Sequence, residues 1–133
     1  MTDDTHLVAL ARKARQQAYA PYSEFEVGAA LLGRSGRVYT GCNVENAAYP
    51  LCTCAERTAV VKAVSEGEQE FEAIAVVTSS GAMPCGACRQ ILREFSDPEG
   101  ELRVLVADTA GHVRSYTIAD LLPESFTSDQ LGP

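Results

Sequence analysis

Two short segments restrict this chain more than anything else in it: Cys54-Ala55-Glu56 and, about thirty residues later, Pro84-Cys85-Gly86-Ala87-Cys88. Each stands where a helix is predicted to begin. If the three thiols act together, the fold has to bring two helix starts to one place. Helix N-termini carry partial positive charge and lower a thiol's pKa, so thiolates form readily there. Three thiolates can hold a tetrahedral zinc ion and leave one position open, which is the mark of a catalytic rather than a structural site.

The chain has 133 residues, the length of one domain, and can bury about two-thirds of its unfolded surface. The domain reads as 1–133, with a short polar tail from Ser125 to Pro133 that is mobile unless something pins it. The start, Met1 to His6, is polar and acidic, unlike an export signal. The five cysteines are therefore expected to stay reduced in the cytoplasm, where clustered thiols point to metal or thiol chemistry rather than a disulfide frame. No apolar run approaches the length of a membrane span. The net charge of -7 disfavours a nucleic acid or an anionic membrane as partner and favours a small uncharged substrate.

Leu7 to Tyr19 reads as a helix, with Leu7, Leu10, Ala11, Ala14 and Ala18 at helical spacing and Pro21 as the stop. Phe25 to Leu32 and Arg37 to Cys42 form a hairpin around Gly33-Arg34-Ser35-Gly36. Asn43 to Thr53 is loop. A helix over Cys54 to Ser65 stops at Gly67, and Glu72 to Thr78 is an apolar run suited to a central strand. Cys85 to Phe95 is helical, Leu102 to Ala107 and Val113 to Thr117 are strands, and Ile118 to Leu122 is a short helix closed by Pro123. The order predicts an α/β fold: a three-layer α/β/α sandwich on a mixed, about five-stranded sheet.

Cys85-Gly-Ala-Cys88 alone would equally suit a thioredoxin-like redox pair or two core cysteines. The third thiol, Cys54, favours zinc, since a redox pair needs no further ligand. Cys52 is a rival for the Cys54 position; Cys42 reads as a small core residue, and His6 and His112 lie in a ragged start and a glycine turn. Three thiolates and Zn2+ sum to -1, so a cation is wanted nearby. Arg57 is the first candidate and Arg89 the second, though either could be a solvated helix-start arginine. Glu56 could serve the helix dipole alone, but beside a metal thiolate it can take a proton from a metal-activated water and hand it on.

With these residues the chain resembles the small homo-oligomeric cytidine deaminases. The matching segments are Ala20-Pro21-Tyr22-Ser23, Phe25 to Ala30, Gly41 to Tyr49, Cys54 to Arg57, Pro84 to Gln90 and Leu121-Leu122-Pro123. Together they cover almost the whole domain. Met83 departs from the serine often found there. The Cys-Ala-Glu and Pro-Cys-x-x-Cys pair marks only the wider zinc-deaminase superfamily. The resemblance implies that Cys54, Cys85 and Cys88 hold one zinc ion per subunit. It implies that Glu56 moves protons among the attacking water, ring N3 and the departing ammonia. The Ala55 backbone would lie against the base, Asn43 and Glu45 would grip the sugar hydroxyls, and Phe25 would pack beside the nucleoside. Ala47, Tyr49 and Phe126 resemble residues that reach into a neighbouring subunit's site, which implies a homotetramer.

The activity so implied is deamination of cytidine and deoxycytidine, a pyrimidine salvage step, with no organic cofactor. Three other readings stand beside it. One keeps the chemistry but changes the substrate to another aminopyrimidine nucleoside, such as a nucleoside antibiotic. Another is a nucleic-acid-editing or RNA-binding zinc module, which the acidic balance opposes. The last is a structural zinc domain with Cys52 as fourth ligand.

Overall fold

In the computed structural model, which describes residues 2–132, one sheet carries helices on both faces. The chain runs α1 (Asp4–Arg15), β1 (Gly28–Gly33), β2 (Val38–Cys42), a 3-10 turn (Tyr49–Leu51), α2 (Ala55–Ser65) and β3 (Phe71–Thr78). It continues through α3 (Gly86–Glu94), β4 (Arg103–Asp108), β5 (Val113–Thr117), α4 (Ile118–Leu121) and a second 3-10 turn (Ser128–Leu131). The strands lie in the order β2-β1-β3-β4-β5. Only β3 and β4 pair in parallel, joined across α3; the other neighbours are antiparallel. This is the mixed, five-stranded, three-layer arrangement that the element order predicts.

The sequence of each strand follows from its place. Central β1 is buried along its whole length and β3 everywhere but Glu72, so both read as nearly continuous apolar runs. Edge strand β5 leaves Val113, Arg114 and Ser115 exposed. Because side chains alternate along a strand, adjacent residues enter different cores: Leu31 faces α2 and α3, whereas Leu32 faces α1. Leu7, Val8 and Ala11 of α1 fill one core with Ala30, Ala75 and Leu105. Ala59, Val60 and Ala63 of α2 and Leu92 of α3 fill the other with Ile74, Val76 and Val104. Both cysteine-bearing helices thus lie on the same face of the sheet.

Several predicted boundaries are corrected. The first helix starts earlier, because the Asp3 carboxylate accepts the His6 N–H at 2.8 Å and caps it, so His6 sits in an ordered first turn. It ends at Arg15 rather than Tyr19, since Tyr19 turns extended and pairs with Val44 through bonds of 2.9 and 2.8 Å to Asn43 and Glu45. β1 begins at Gly28, not Phe25, because the backbone of Phe25 and Val27 is taken up by the Asn43 side chain. The tail is pinned: Arg93 donates to the Ser125 hydroxyl at 3.0 Å and Gln90 to the Phe126 carbonyl at 2.9 Å. Met1 and Pro133, named in the expectations for the two ends, lie outside the described residues.

α2 sits so close to β2 that only glycine fits between them. A Cβ at Gly41 would lie 2.6 Å from both the Ala55 carbonyl oxygen and the Ala59 nitrogen, backbone atoms of the helix. Gly41→Ala should therefore push away the start of α2 and destabilise the protein by about 1–3 kcal/mol. Urea denaturation checks the stability, and bound zinc per chain, which should fall with it, checks the displacement of Cys54.

Candidate active site

Cys54 is the N-cap residue of α2, Cys85 is the N-cap residue of α3, and Cys88 lies in the first turn of α3. Neither N-cap thiol makes a capping hydrogen bond. All three sulfurs lie within 4.8 Å of one another, with Cys85 and Cys88 Sγ 3.5 Å apart. A Zn–S bond of about 2.3 Å sets sulfurs about 3.8 Å apart in a tetrahedron, so the donor set fits zinc. Cys85 is exposed, Cys54 half-buried and Cys88 buried, which leaves the group open on one side. Among the described residues no further His, Cys, Asp or Glu joins the group.

Cys52 is outside it: its sulfur accepts the Asn46 N–H at 3.3 Å, so the fourth thiol of a structural site is not there. Cys42 ends β2 half-buried, and His112 is exposed against Asp108. Arg57 reaches the cluster, with Nη2 2.8 Å from the Cys52 carbonyl and 3.9 Å from Cys54 Sγ. Its buried Nε has no hydrogen-bond partner. Arg89, the second candidate, turns its guanidinium to backbone carbonyls. It donates to the Pro84 carbonyl at 2.8 Å and the Leu121 carbonyl at 2.9 Å, bracing the segment just before Cys85 against α4.

The site favours charge on the Cys54 sulfur and a proton on Cys88. A hydrogen bond from Cys88, helped by Arg57 and opposed by burial, brings the Cys54 thiol down to about 5. Cys88 is pushed up, because Cys54 holds its hydrogen and because it is buried. Glu56 is 4% exposed, and burial raises its pKa above the usual carboxylate range. That environment suits a carboxyl group that must gain and lose a proton.

The loop after β2 forms the other wall. Val44 and Thr53 exchange backbone hydrogen bonds of 2.9 Å, which carries Asn43 and Glu45 alongside the residue next to Cys54. Asn43 is buried; its Oδ1 accepts the Val27 N–H at 2.9 Å and its Nδ2 donates to the Phe25 carbonyl at 2.8 Å. The Glu45 carboxylate is held below its ordinary pKa, chiefly by the Ser23 hydroxyl. Phe25, Ala47, Tyr49 and Phe126 are exposed, and Tyr49 packs edge-on against Tyr22 of its own chain, 6.0 Å between ring centres. Ala55 is fully buried, its carbonyl turned towards Gly41. Ser23 had no assigned role in the sequence, although it stands inside a matching segment; the same holds for Gln90.

Three grouped thiols with an open side and a buried carboxylate define a zinc site of the kind that activates water for hydrolysis. The family model for the "Cytidine and deoxycytidylate deaminase zinc-binding region" matches residues 1–100. A cytidine deaminase of Sporosarcina psychrophila is 49% identical over 132 residues, covering 98% of this chain and 96% of that one. One of Halalkalibacterium halodurans is 45% identical over 132 residues, covering 98% of each. The crystal structure of cytidine deaminase from Burkholderia pseudomallei superposes with a TM-score of 0.89 at 46% identity, covering 94% of this chain and all of that one. The chain belongs to the cytidine and deoxycytidylate deaminase family.

A lowered thiol pKa means thiolate persists above it and is lost as the pH falls through it. After chelation of the metal, Cys54 should still react with iodoacetamide at pH 6 and fall silent below about 5. Arg57→Ala should move that inflection upward. Peptide mapping by mass spectrometry reads both; no cysteine reacting below neutral pH would contradict the electrostatics.

Proposed function

We infer that this chain catalyses the zinc-dependent hydrolysis of cytidine and deoxycytidine to uridine and deoxyuridine with release of ammonia. The observation that carries the reading is the meeting of the Cys54, Cys85 and Cys88 sulfurs in a family member whose Glu56, two residues after Cys54, is buried. In this reading the three cysteines hold the metal. Zinc bound there would supply a water acidified to a pKa of about 7, and so a nucleophile at neutral pH.

The remaining steps belong to the protein. Glu56 takes a proton from the water and delivers it to ring N3. It then passes the second proton to the exocyclic nitrogen, which leaves as ammonia while C4 keeps the oxygen. Its raised affinity for a proton supports this shuttle. Arg57 offsets the negative charge of the thiolates. The Ala55 backbone would flank the base.

Asn43 and Glu45 bind the sugar in this reading, and Phe25 covers one side of the nucleoside. Glu45 is ionised at neutral pH and would repel a 5′ phosphate, which favours nucleosides over nucleotides. The chain acts as one domain and works as a homotetramer in which Ala47, Tyr49 and Phe126 complete a neighbour's site. In support, Tyr22, Tyr49, Leu51 and Phe126 are each at least half exposed on the single chain, and Tyr22 and Tyr49 pack together there. The protein works in the cytoplasm, in pyrimidine salvage, a reading that the five free cysteines support.

Glu56→Gln should keep its zinc and lose turnover by about 10²–10⁴-fold. Ultraviolet loss of cytidine, ammonia release and metal content, measured together, check this; full activity would remove Glu56 from the mechanism. Sedimentation equilibrium of the native protein should give four times the 14.2 kDa chain mass.

A further inference from the structure

Glu45 does not stand free in its loop. Its Oε1 accepts the N–H groups of Tyr22 at 2.9 Å and Ser23 at 3.1 Å, and its Oε2 accepts the Ser23 hydroxyl. The same Ser23 oxygen accepts the Phe25 N–H at 3.0 Å. Between them, Glu24 has φ 58°, in the left-handed region that residues other than glycine seldom enter. Its N–H closes a turn onto the Ala20 carbonyl at 2.9 Å. Such a backbone persists only where its surroundings hold it.

Asn43 ties down the far end of the loop at Phe25 and Val27. An ionised carboxylate offers about four acceptor positions, and three of those on Glu45 are taken, so about one is left for a hydroxyl group. The Ser23 side chain is therefore the hinge of a clamp that joins two candidate nucleoside contacts, Glu45 and Phe25, through a single oxygen.

We propose that Ser23 is a positioning residue for sugar recognition: its hydroxyl turns the remaining acceptor position of Glu45 towards a sugar hydroxyl and sets Phe25 relative to it. The proposal rests on the reading of Glu45 as a sugar contact. A serine that merely stiffened the loop would act on every substrate alike. One that aims Glu45 acts only where there is a hydroxyl to receive.

The test compares kcat/KM for cytidine with kcat/KM for 2′,3′-dideoxycytidine in the zinc-loaded protein and its Glu45→Ala, Ser23→Ala and doubly substituted forms. Zinc content and thermal midpoint are recorded for each. Loss of a hydrogen bond involving a charged group should lower the preference for cytidine about tenfold in Glu45→Ala. Ser23→Ala should lower it by about three- to tenfold, in KM rather than kcat, and the double variant should fall no further than Glu45→Ala. Ser23→Thr should restore the preference while Ser23→Val, of the same shape, should not, which keeps the test sound even if Ser23→Ala folds poorly.

If Glu45→Ala lowers the preference and Ser23→Ala does not, or slows both substrates equally, the proposal is overturned while the sugar contact stands. A preference untouched by Glu45→Ala overturns the sugar contact, and the proposal with it.

Discussion

Sulfurs from the starts of α2 and α3 meet because both helices pack on one face of the sheet, and the rest of the site is arranged around that meeting. Gathering thiolates away from water is unfavourable unless something compensates the charge. Two helix N-termini, which carry partial positive charge, are headed by Cys54 and Cys85, and Arg57 adds a full positive charge at the rim. Glycine at position 41 lets α2 lie against β2, and Arg89 fixes the carbonyl just ahead of Cys85 to α4. The apolar core under both helices, with Ala59, Val60 and Leu92 in it, makes this placement rigid.

The wall opposite is built differently. It has little core of its own and is held by hydrogen bonds: Tyr19 to Asn43 and Glu45, Val44 to Thr53, Asn43 to Phe25 and Val27, and Glu45 to Tyr22 and Ser23. These bonds organise polar groups on a loop that pairs with Thr53, the residue next to Cys54, while leaving aromatic side chains at the surface. A loop secured in this way keeps its shape without burial, which suits a surface that must admit a ligand and still present fixed contacts to it. The pinned tail continues the same economy, since Gln90 and Arg93 reach it from the helix that carries Cys88.

Features written in local chemistry were legible beforehand. The apolar runs of β1 and β3, the glycine turn at 33–36, the Gly67 stop and the two helix starts headed by cysteine all follow from neighbours in sequence. The ends of α1 did not, because Tyr19 leaves the helix to pair with Val44, a partner far along the chain. Arg89 reads on paper as a cation beside a thiol, yet its guanidinium is spent on carbonyls of Pro84 and Leu121. Cys52 and Cys54 look interchangeable by spacing; the difference is that Cys54 heads a helix, while the Cys52 sulfur turns back to Asn46. Ser23 could be singled out only once Glu45 was seen to fold back over it.

By itself, the sequence determined the ligand chemistry: which thiols are available, that they open helices, and that a carboxylate follows one of them two residues on. Those are consequences of residue type and helical geometry, which act over a few positions. Tertiary structure alone decided that the Cys52 sulfur turns back to Asn46, that Arg89 is taken up by carbonyls, and that the loop bearing Asn43 and Glu45 pairs with Thr53, the residue next to Cys54. Each of these depends on burial and on partners distant along the chain, and such contacts exist only after the sheet has brought its edges and helices together.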